Sequence, residues 1–221
     1  MNYAIILAKS KSKRIKKKNI KKFKGKPIIY WTIKNVINSK LFKKVIVSTD
    51  DNNIKKLAIK FGAKVPFLRP KKLAGAYIGT KEVMDHSIKY LERCEKKIEF
   101  VACFYATSIF AKPDKIKKAM KIINKNTKFI FAAKKVDPQS FRYLKLKNKK
   151  IIKISKQLEK RTQDINNFYQ DLGQFYIARY KTWKREKKIL CKGSKAMILK
   201  NWQATDIDDL DDWQLAERLH N

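Results

Sequence analysis

Short runs of consecutive apolar residues alternate along this chain with stretches whose apolar residues recur every three or four positions. Tyr3-Ala4-Ile5-Ile6-Leu7-Ala8 is the first such run, and unbroken hydrophobicity over that length reads as a strand buried on both faces. Val45-Ile46-Val47, residues 100–105 and residues 129–133 repeat the pattern. Residues 175–178 and 196–199 return to it late in the chain, and 65–68 reads as a further short strand. Between them, Ile28, Ile29, Trp31, Ile33, Val36 and Ile37 mark one face of a helix ending near Ser39. Pro27 falls in its first turn, where a missing N–H costs nothing. Ile54, Leu57, Ala58 and Phe61 predict a helix opened by Asp51 and stopped by Gly62. Val83, Met84, Ile88 and Leu91 predict one from about Thr80, while Ile116, Ala119, Met120 and Ile123 predict one opened by Pro113. A last helix spans 211–220.

Strand and helix in alternation predict an α/β fold, a mostly parallel sheet flanked by helices on both faces. Ligands of such sheets bind beyond the carboxyl ends of the strands, and the most polar clusters of this chain follow strand ends. Residues 137–170 break the rhythm. Tyr143-Leu144-Lys145-Leu146-Lys147 and Ile151-Ile152-Lys153-Ile154, separated at Asn148, read as a small β-hairpin excursion. Without a repeat or a flexible linker, 1–221 is expected to be a single domain with 137–170 as a protruding insertion.

Composition changes this picture little. A net charge of +36 suggests polyanion binding, but only eight of the 55 basic residues are arginine and the lysines are spread through nearly every segment. Lysine rises together with isoleucine and asparagine, a bias expected of an AT-rich coding sequence, so contact with nucleic acid is expected to be non-specific and salt-sensitive. No apolar run is long enough to cross a bilayer or serve as a signal peptide. Cys94, Cys103 and Cys191 show no metal spacing, and an odd, unpaired set is expected of a reduced cytoplasmic protein.

Two clusters could carry chemistry. Ala8-Lys9-Ser10-Lys11-Ser12-Lys13-Arg14, continuing to Lys18-Asn19, takes a strand into a loop of ammonium groups, hydroxyls and free N–H groups able to wrap a polyphosphate. The alternative is a solvated basic loop. Asp206-Ile207-Asp208 stands out in so basic a chain. In an extended segment the two carboxylates point the same way and can converge on one Mg2+, which favours hard oxygens and keeps several waters. Asp209 or Asp211 can instead cap the last helix, and Asp211 and Asp212 are expected to serve that helix.

The first cluster resembles the N-terminal signature of the cytidylyltransferases that activate sialic, legionaminic and pseudaminic acids. That signature runs Ala-Arg-Gly-Gly-Ser-Lys-Arg-Ile-Pro-Arg-Lys-Asn; Ala8, Ser12, Lys13, Arg14, Ile15, Lys18 and Asn19 match it, while Lys9, Ser10 and Lys11 depart from it. Gly25-Lys26-Pro27, Val45-Ile46-Val47-Ser48-Thr49-Asp50-Asp51, Val65-Pro66-Phe67-Leu68-Arg69-Pro70, Thr107-Ser108 and Arg161-Thr162-Gln163-Asp164 are similar to the same family. Tyr169-Gln170-Asp171-Leu172-Gly173-Gln174-Phe175-Tyr176 and Tyr105-Ala106-Thr107 resemble its pseudaminic acid branch.

The resemblance implies a Rossmann-like nucleotide-diphospho-sugar transferase fold and transfer of CMP from CTP to a nine-carbon acidic sugar, most similar to the pseudaminic acid reaction, with release of pyrophosphate. It assigns Ala8, Lys9, Ser10, Ser12, Arg14, Lys18 and Asn19 to the nucleotide, and Lys18, Asp206 and Asp208 to catalysis, the two aspartates holding Mg2+. Arg69 either meets the base or ribose or makes a surface ion pair. Thr107, Gln163, Gln174 and Tyr176 are implied at the sugar. Arg142 and Arg161 either reach its carboxylate, across a dimer interface, or form structural salt bridges. The family also implies a homodimer in which 137–170 reaches the partner. Other readings stay open: an N-acetylneuraminate or legionaminate enzyme, another sugar nucleotidyltransferase, a catalytically weakened homologue, or a basic nucleic-acid-binding protein. His86, Trp31, Trp183 and Trp213 read as packing residues, and Cys103 as a buried, inert thiol.

Overall fold

The central sheet of the computed structural model, which describes residues 1–75, 77–203 and 205–220, grows from the first apolar run, β1 (Asn2–Leu7). Tyr3, Ile5 and Leu7 face one hydrophobic core while Ala4 and Ile6 face another. Burial on both faces is why no polar residue interrupts the run. There follow two-residue strands β2 (Lys22–Phe23) and β3 (Lys26–Pro27), then α1 (Ile28–Asn38), β4 (Lys44–Ser48), α2 (Asn52–Lys60), α3 (Thr80–Cys94), β5 (Phe100–Tyr105), α4 (Pro113–Ile122) and β6 (Phe129–Lys135). A separate hairpin, β7 (Leu144–Lys147) and β8 (Lys150–Ile154), precedes β9 (Tyr169–Arg179), α5 (Tyr180–Arg185), β10 (Lys195–Ile198) and α6 (Leu210–Leu219).

The six-stranded sheet runs β10-β6-β9-β5-β1-β4. Its β1–β4, β1–β5 and β6–β10 pairs are parallel, as the alternation predicts. Helices α1, α2 and α4 bury Ile29, Ile33, Ile54 and Ile116 in the core on one side; α3 and α5 bury Met84, Ile88, Leu91 and Trp183 on the other. Asp51 caps α2, its carboxylate accepting from the N–H groups of Asn53 and Ile54, and Gly62 follows the helix with φ +98°.

Three local expectations need correction. Residues 65–68 form no strand; a single bridge joins Ile46 to Lys64, and Pro66, without an N–H, cannot extend it. Pro27 caps α1 from outside and belongs to β3. β9 reaches well beyond 175–178 and lies antiparallel between β5 and β6. The chain leaves the sheet at the end of β6, makes its excursion through the hairpin, and re-enters at that same end, so the returning strand must run backwards. Near this end 172–175 face Ala132 alone, an irregularity that shifts the register of the β6–β9 ladder.

At the opposite end of β1 a carboxylate closes the sheet. Glu95, at the C-terminus of α3, accepts from the Tyr3 hydroxyl at 2.6 Å, Lys43 at 2.9 Å and Lys44 at 2.5 Å. These donors, Lys44 first, hold its acid well below the usual range, at about 2. A carboxylate with a depressed folded pKa contributes stability above its unfolded value of about 4.3, and loses it as pH falls through the folded value. Glu95→Gln is therefore expected to lower the melting temperature at neutral pH. Thermal melts across a pH series should show that deficit shrinking from about pH 4 downwards; a deficit independent of pH would assign the effect to packing.

Candidate active site

The loop after β1 is shaped by a few fixed points. Ala8, fully buried, donates its N–H to the Ser48 carbonyl at 3.1 Å and so continues the β1–β4 ladder by one residue. Ser10 then turns to Asp50, giving its N–H to Oδ1 at 2.8 Å and its hydroxyl to Oδ2 at 2.5 Å. Five residues on, Ile15 is the one residue of the lysine-rich stretch that is fully buried, joining Phe23, Ile28, Ile207 and Trp213 in a third small core. Lys17 adopts a left-handed conformation, φ 51°, which starts the short 3-10 turn of Lys18–Ile20. Asn19 donates from Nδ2 to the Lys9 carbonyl at 2.8 Å, closing the loop on itself.

The carboxyl-terminal cluster meets this loop over the same core. Ile207 is buried between Asp206 and Asp208, so alternation turns both carboxylates away from the apolar side. Lys18 Nζ donates to the Ile207 carbonyl at 2.6 Å and lies 3.4 Å from Asp208 Oδ1. Arg14 Nη2 is 2.6 Å from that oxygen. Asp209 caps α6, and Asp212 completes the capping box and accepts the Asp208 N–H at 2.9 Å. The last helix thereby fixes the backbone carrying Asp208.

A hollow of about 960 Å³ opens here, bounded by the 9–14 loop, Asp50, Lys71, Tyr77 and Asp208. A second, of about 360 Å³, adjoins it and shares Lys9, Ser12, Lys18 and Asp208. Its remaining wall includes Asn19, Arg69, Thr80, Tyr105, Thr107, Gly173 and Asp206. Volumes of several hundred Å³ suit a small ligand with charged groups. Arg69 is buried and donates from Nη2 to the Ser48 carbonyl, while its Nε has no partner. A surface ion pair is thus not its role. Burial pulls its guanidinium pKa down, and Asp50 opposes that shift. Tyr105 meets Thr80 through their hydroxyls, and burial pushes the Tyr105 phenol up. Gly173, at φ +55° in the irregular part of β9, stands against the Tyr105 ring.

Of the residues named from sequence, Lys9, Ser10, Ser12, Arg14, Lys18, Asn19, Arg69, Thr107, Asp206 and Asp208 all line this double hollow. Ala8, fully buried, does not, and neither do Gln174 and Tyr176. The Gln174 amide is buried and donates to the Gln203 carbonyl at 2.9 Å, and the buried Tyr176 hydroxyl is taken by Asp171. Arg142, Arg161 and Gln163 lie on the exposed excursion, Arg142 donating to the Leu158 carbonyl at 3.0 Å. Sequence reasoning gave no role to Asp50, Thr80, Tyr77 or Gly173. The one available signal was position, since Asp50 follows a strand end and Thr80 opens a helix.

Among the described residues no group of three or more His, Cys, Asp or Glu is arranged to hold a metal ion; a cation held by Asp206 and Asp208 would need its remaining ligands from water and phosphate, which Mg2+ accepts. Desolvation by the surrounding protein, and then the Asp208 charge, raise the Asp206 pKa.

Known proteins resemble this chain over nearly its whole length. A pseudaminic acid cytidylyltransferase of Campylobacter jejuni is 36% identical over 99% of this chain and 96% of its own length. A CMP-N,N'-diacetyllegionaminic acid synthase of Legionella pneumophila is 30% identical over 98% of this chain and 94% of its own. The solved structure of a CMP:2-keto-3-deoxy-manno-octonic acid synthetase complexed with CTP superposes with a TM-score of 0.71 at 11% identity, covering 99% of this chain and 97% of that one, a likeness of fold. The profile described as cytidylyltransferase matches residues 3–220, and the chain belongs to that family.

Proposed function

We propose that this chain transfers CMP from CTP to pseudaminic acid and releases pyrophosphate. The observation that carries the reading is the meeting of Lys18 and Arg14 with Asp208, from opposite ends of the sequence, at the mouth of a hollow large enough for a nucleotide. The full-length similarity to a Campylobacter jejuni protein named for this reaction supports the choice of sugar.

In the proposed reaction the anomeric hydroxyl of the sugar acid attacks the α-phosphorus of CTP in line, the new C–O–P link forming as the bond to pyrophosphate breaks. Such a transfer needs positioning and charge neutralisation more than covalent help. Lys9, Ser12, Arg14 and Lys18 hold the triphosphate, and Asn19 keeps their loop closed through the Lys9 carbonyl. Arg69, in the wall of the adjoining hollow, is assigned to the nucleoside, and Thr107 with the Tyr105–Thr80 pair to the wall on the sugar side. Asp206 and Asp208 hold Mg2+, which when bound neutralises charge on the phosphates.

The proposal extends to a homodimer in the cytoplasm. No helix of the described residues is long and apolar enough to cross a membrane, and the three cysteines are free. Hairpin β7–β8 pairs Leu144 with Ile154 and Leu146 with Ile151, and each of these four side chains is about half exposed. A two-stranded hairpin is marginal alone in water, and a second copy covering that face would also bring Arg142 and Arg161 towards the partner's sugar.

Purified protein given CTP, Mg2+ and pseudaminic acid should release pyrophosphate, and N-acetylneuraminic or legionaminic acid should release much less; the reverse preference would overturn the choice of sugar. Lys18→Ala and Asp208→Asn should each lower kcat by about 10²-fold or more, with circular dichroism unchanged. In light scattering the wild type should have the mass of a dimer, and Leu146→Lys with Ile151→Lys that of a monomer. A wild-type monomer would remove the interface from the proposal.

A further inference from the structure

Ser10 and Lys11 stand where the resembling signature carries two glycines. Neither takes the left-handed backbone that favours glycine; in this loop only Lys17 has a positive φ. The chain therefore pays nothing in backbone strain for losing the pair. What it lacks is an explanation for how a loop so rich in mutually repelling lysines keeps one shape.

The structure supplies one at Asp50, a residue outside the set assigned to nucleotide, sugar or metal. Its two oxygens take the two donors of Ser10 separately, the N–H at 2.8 Å and the hydroxyl at 2.5 Å. A glycine could offer only the first. Asp50 follows Ser48 and Thr49, both buried at the end of β4, so the acceptor is carried by a rigid element. The same carboxylate is the acidic neighbour that opposes desolvation of the buried Arg69 guanidinium. The Arg69 N–H bonds to the Thr49 carbonyl at 2.7 Å, fixing that arginine to the same turn. One carboxylate thus stands between the polyphosphate loop and the arginine of the adjoining hollow.

We infer that Asp50 is a positioning residue, clasping Ser10 through both of its donors so that the Lys9–Lys18 loop is held ready for the triphosphate, and that this clasp does the work that glycines do in related loops. The inference rests on the cytidylyltransferase reading, and a wild-type control separates the two. Because the clasp orders the loop before nucleotide arrives, its loss should weaken CTP binding and leave the saturated rate nearly untouched.

The experiment measures CTP affinity by calorimetry with Mg2+, and KM and kcat by pyrophosphate release, for wild type, Ser10→Ala, Ser10→Thr, Asp50→Asn and the Ser10→Ala/Asp50→Asn double variant. Ser10→Ala and Asp50→Asn should each raise Kd and KM for CTP by roughly three- to tenfold, within the net range of one ordinary hydrogen bond, with kcat within about twofold. Ser10→Thr, which keeps the hydroxyl, should bind as the wild type does. The double variant should be no weaker than Asp50→Asn alone, because coupled residues are not additive. Wild-type affinity in both single variants, or effects that multiply in the double, overturns the clasp. If Asp50→Asn does not fold, the contrast of Ser10→Ala with Ser10→Thr decides the question alone. Amide exchange at Ser10, measured by NMR without nucleotide, should be slow in the wild type and fast in Asp50→Ala. If the wild type binds no CTP the nucleotide reading fails, and equal exchange rates in the two proteins then sink the clasp as well.

Discussion

A small apolar joint beneath the charges holds the two ends of this chain together. Ile15 and Ile207 enter the same core from the lysine-rich loop and from the aspartate segment, against Phe23, Ile28 and Trp213. The charged contacts above could not do this alone. Arg14 is well exposed and Asp208 partly so, and exposed ion pairs contribute about 0–1 kcal/mol, whereas truncating a buried isoleucine costs about 2–5 kcal/mol. Packing decides where Lys18 and Asp208 sit, and the charges decide what that place can bind. The spacing follows: Lys18 lies one tight turn beyond Ile15, its N–H donating to the Ile15 carbonyl at 3.2 Å, and Asp208 is the next residue after Ile207.

The sheet divides its labour between its ends. At the amino ends of β1 and β4, Glu95 gathers Tyr3, Lys43 and Lys44 into a closed, mutually satisfied cluster. At the carboxyl ends the polar groups are left open, and Arg69 keeps an unpartnered Nε under cover. Buried polar atoms without partners are costly, and this one lies beneath the wall of the hollow rather than open to it. The reversed strand β9 matters to the same division. Running antiparallel, it brings its starting end to the open side of the sheet and sets Gly173 against Tyr105.

Much of this was legible in the residues. The buried strands and the amphipathic helices follow from periodicity, because burial on two faces and on one face leave different patterns. The Asp206–Asp208 pair was legible by alternation, and the loop by its density of donors. The direction of β9 was not, since Phe175, Tyr176, Ile177 and Ala178 read alike in either direction. Nor was the absence of strand at 65–68, where Val65, Phe67 and Leu68 outweighed Pro66 within the run. Ser10 was read as a phosphate donor, but its hydroxyl is committed to Asp50, 40 residues away. The roles of Gln174 and Tyr176 erred in the same way. A side chain's chemistry can be read locally, but its partner is set by tertiary structure, which a sequence window does not contain.

The charges at the mouth of the hollow also bear on how so basic a loop survives without a ligand. Among about 36 excess positive charges, Lys9, Lys11, Lys13, Arg14, Lys16, Lys17 and Lys18 fall within ten residues, and mutual repulsion disfavours any compact arrangement of them. Asp208 answers Arg14 and Lys18, and Asp50 anchors the loop at Ser10. Each carboxylate is itself held by a rigid neighbour, Asp208 through the α6 capping box and Asp50 through the end of β4. An anionic ligand entering such a site meets cations already gathered, so the entropy of collecting them has been spent in folding. A site built this way gains affinity from preorganisation, and its two acidic anchors are as necessary to it as the lysines they restrain.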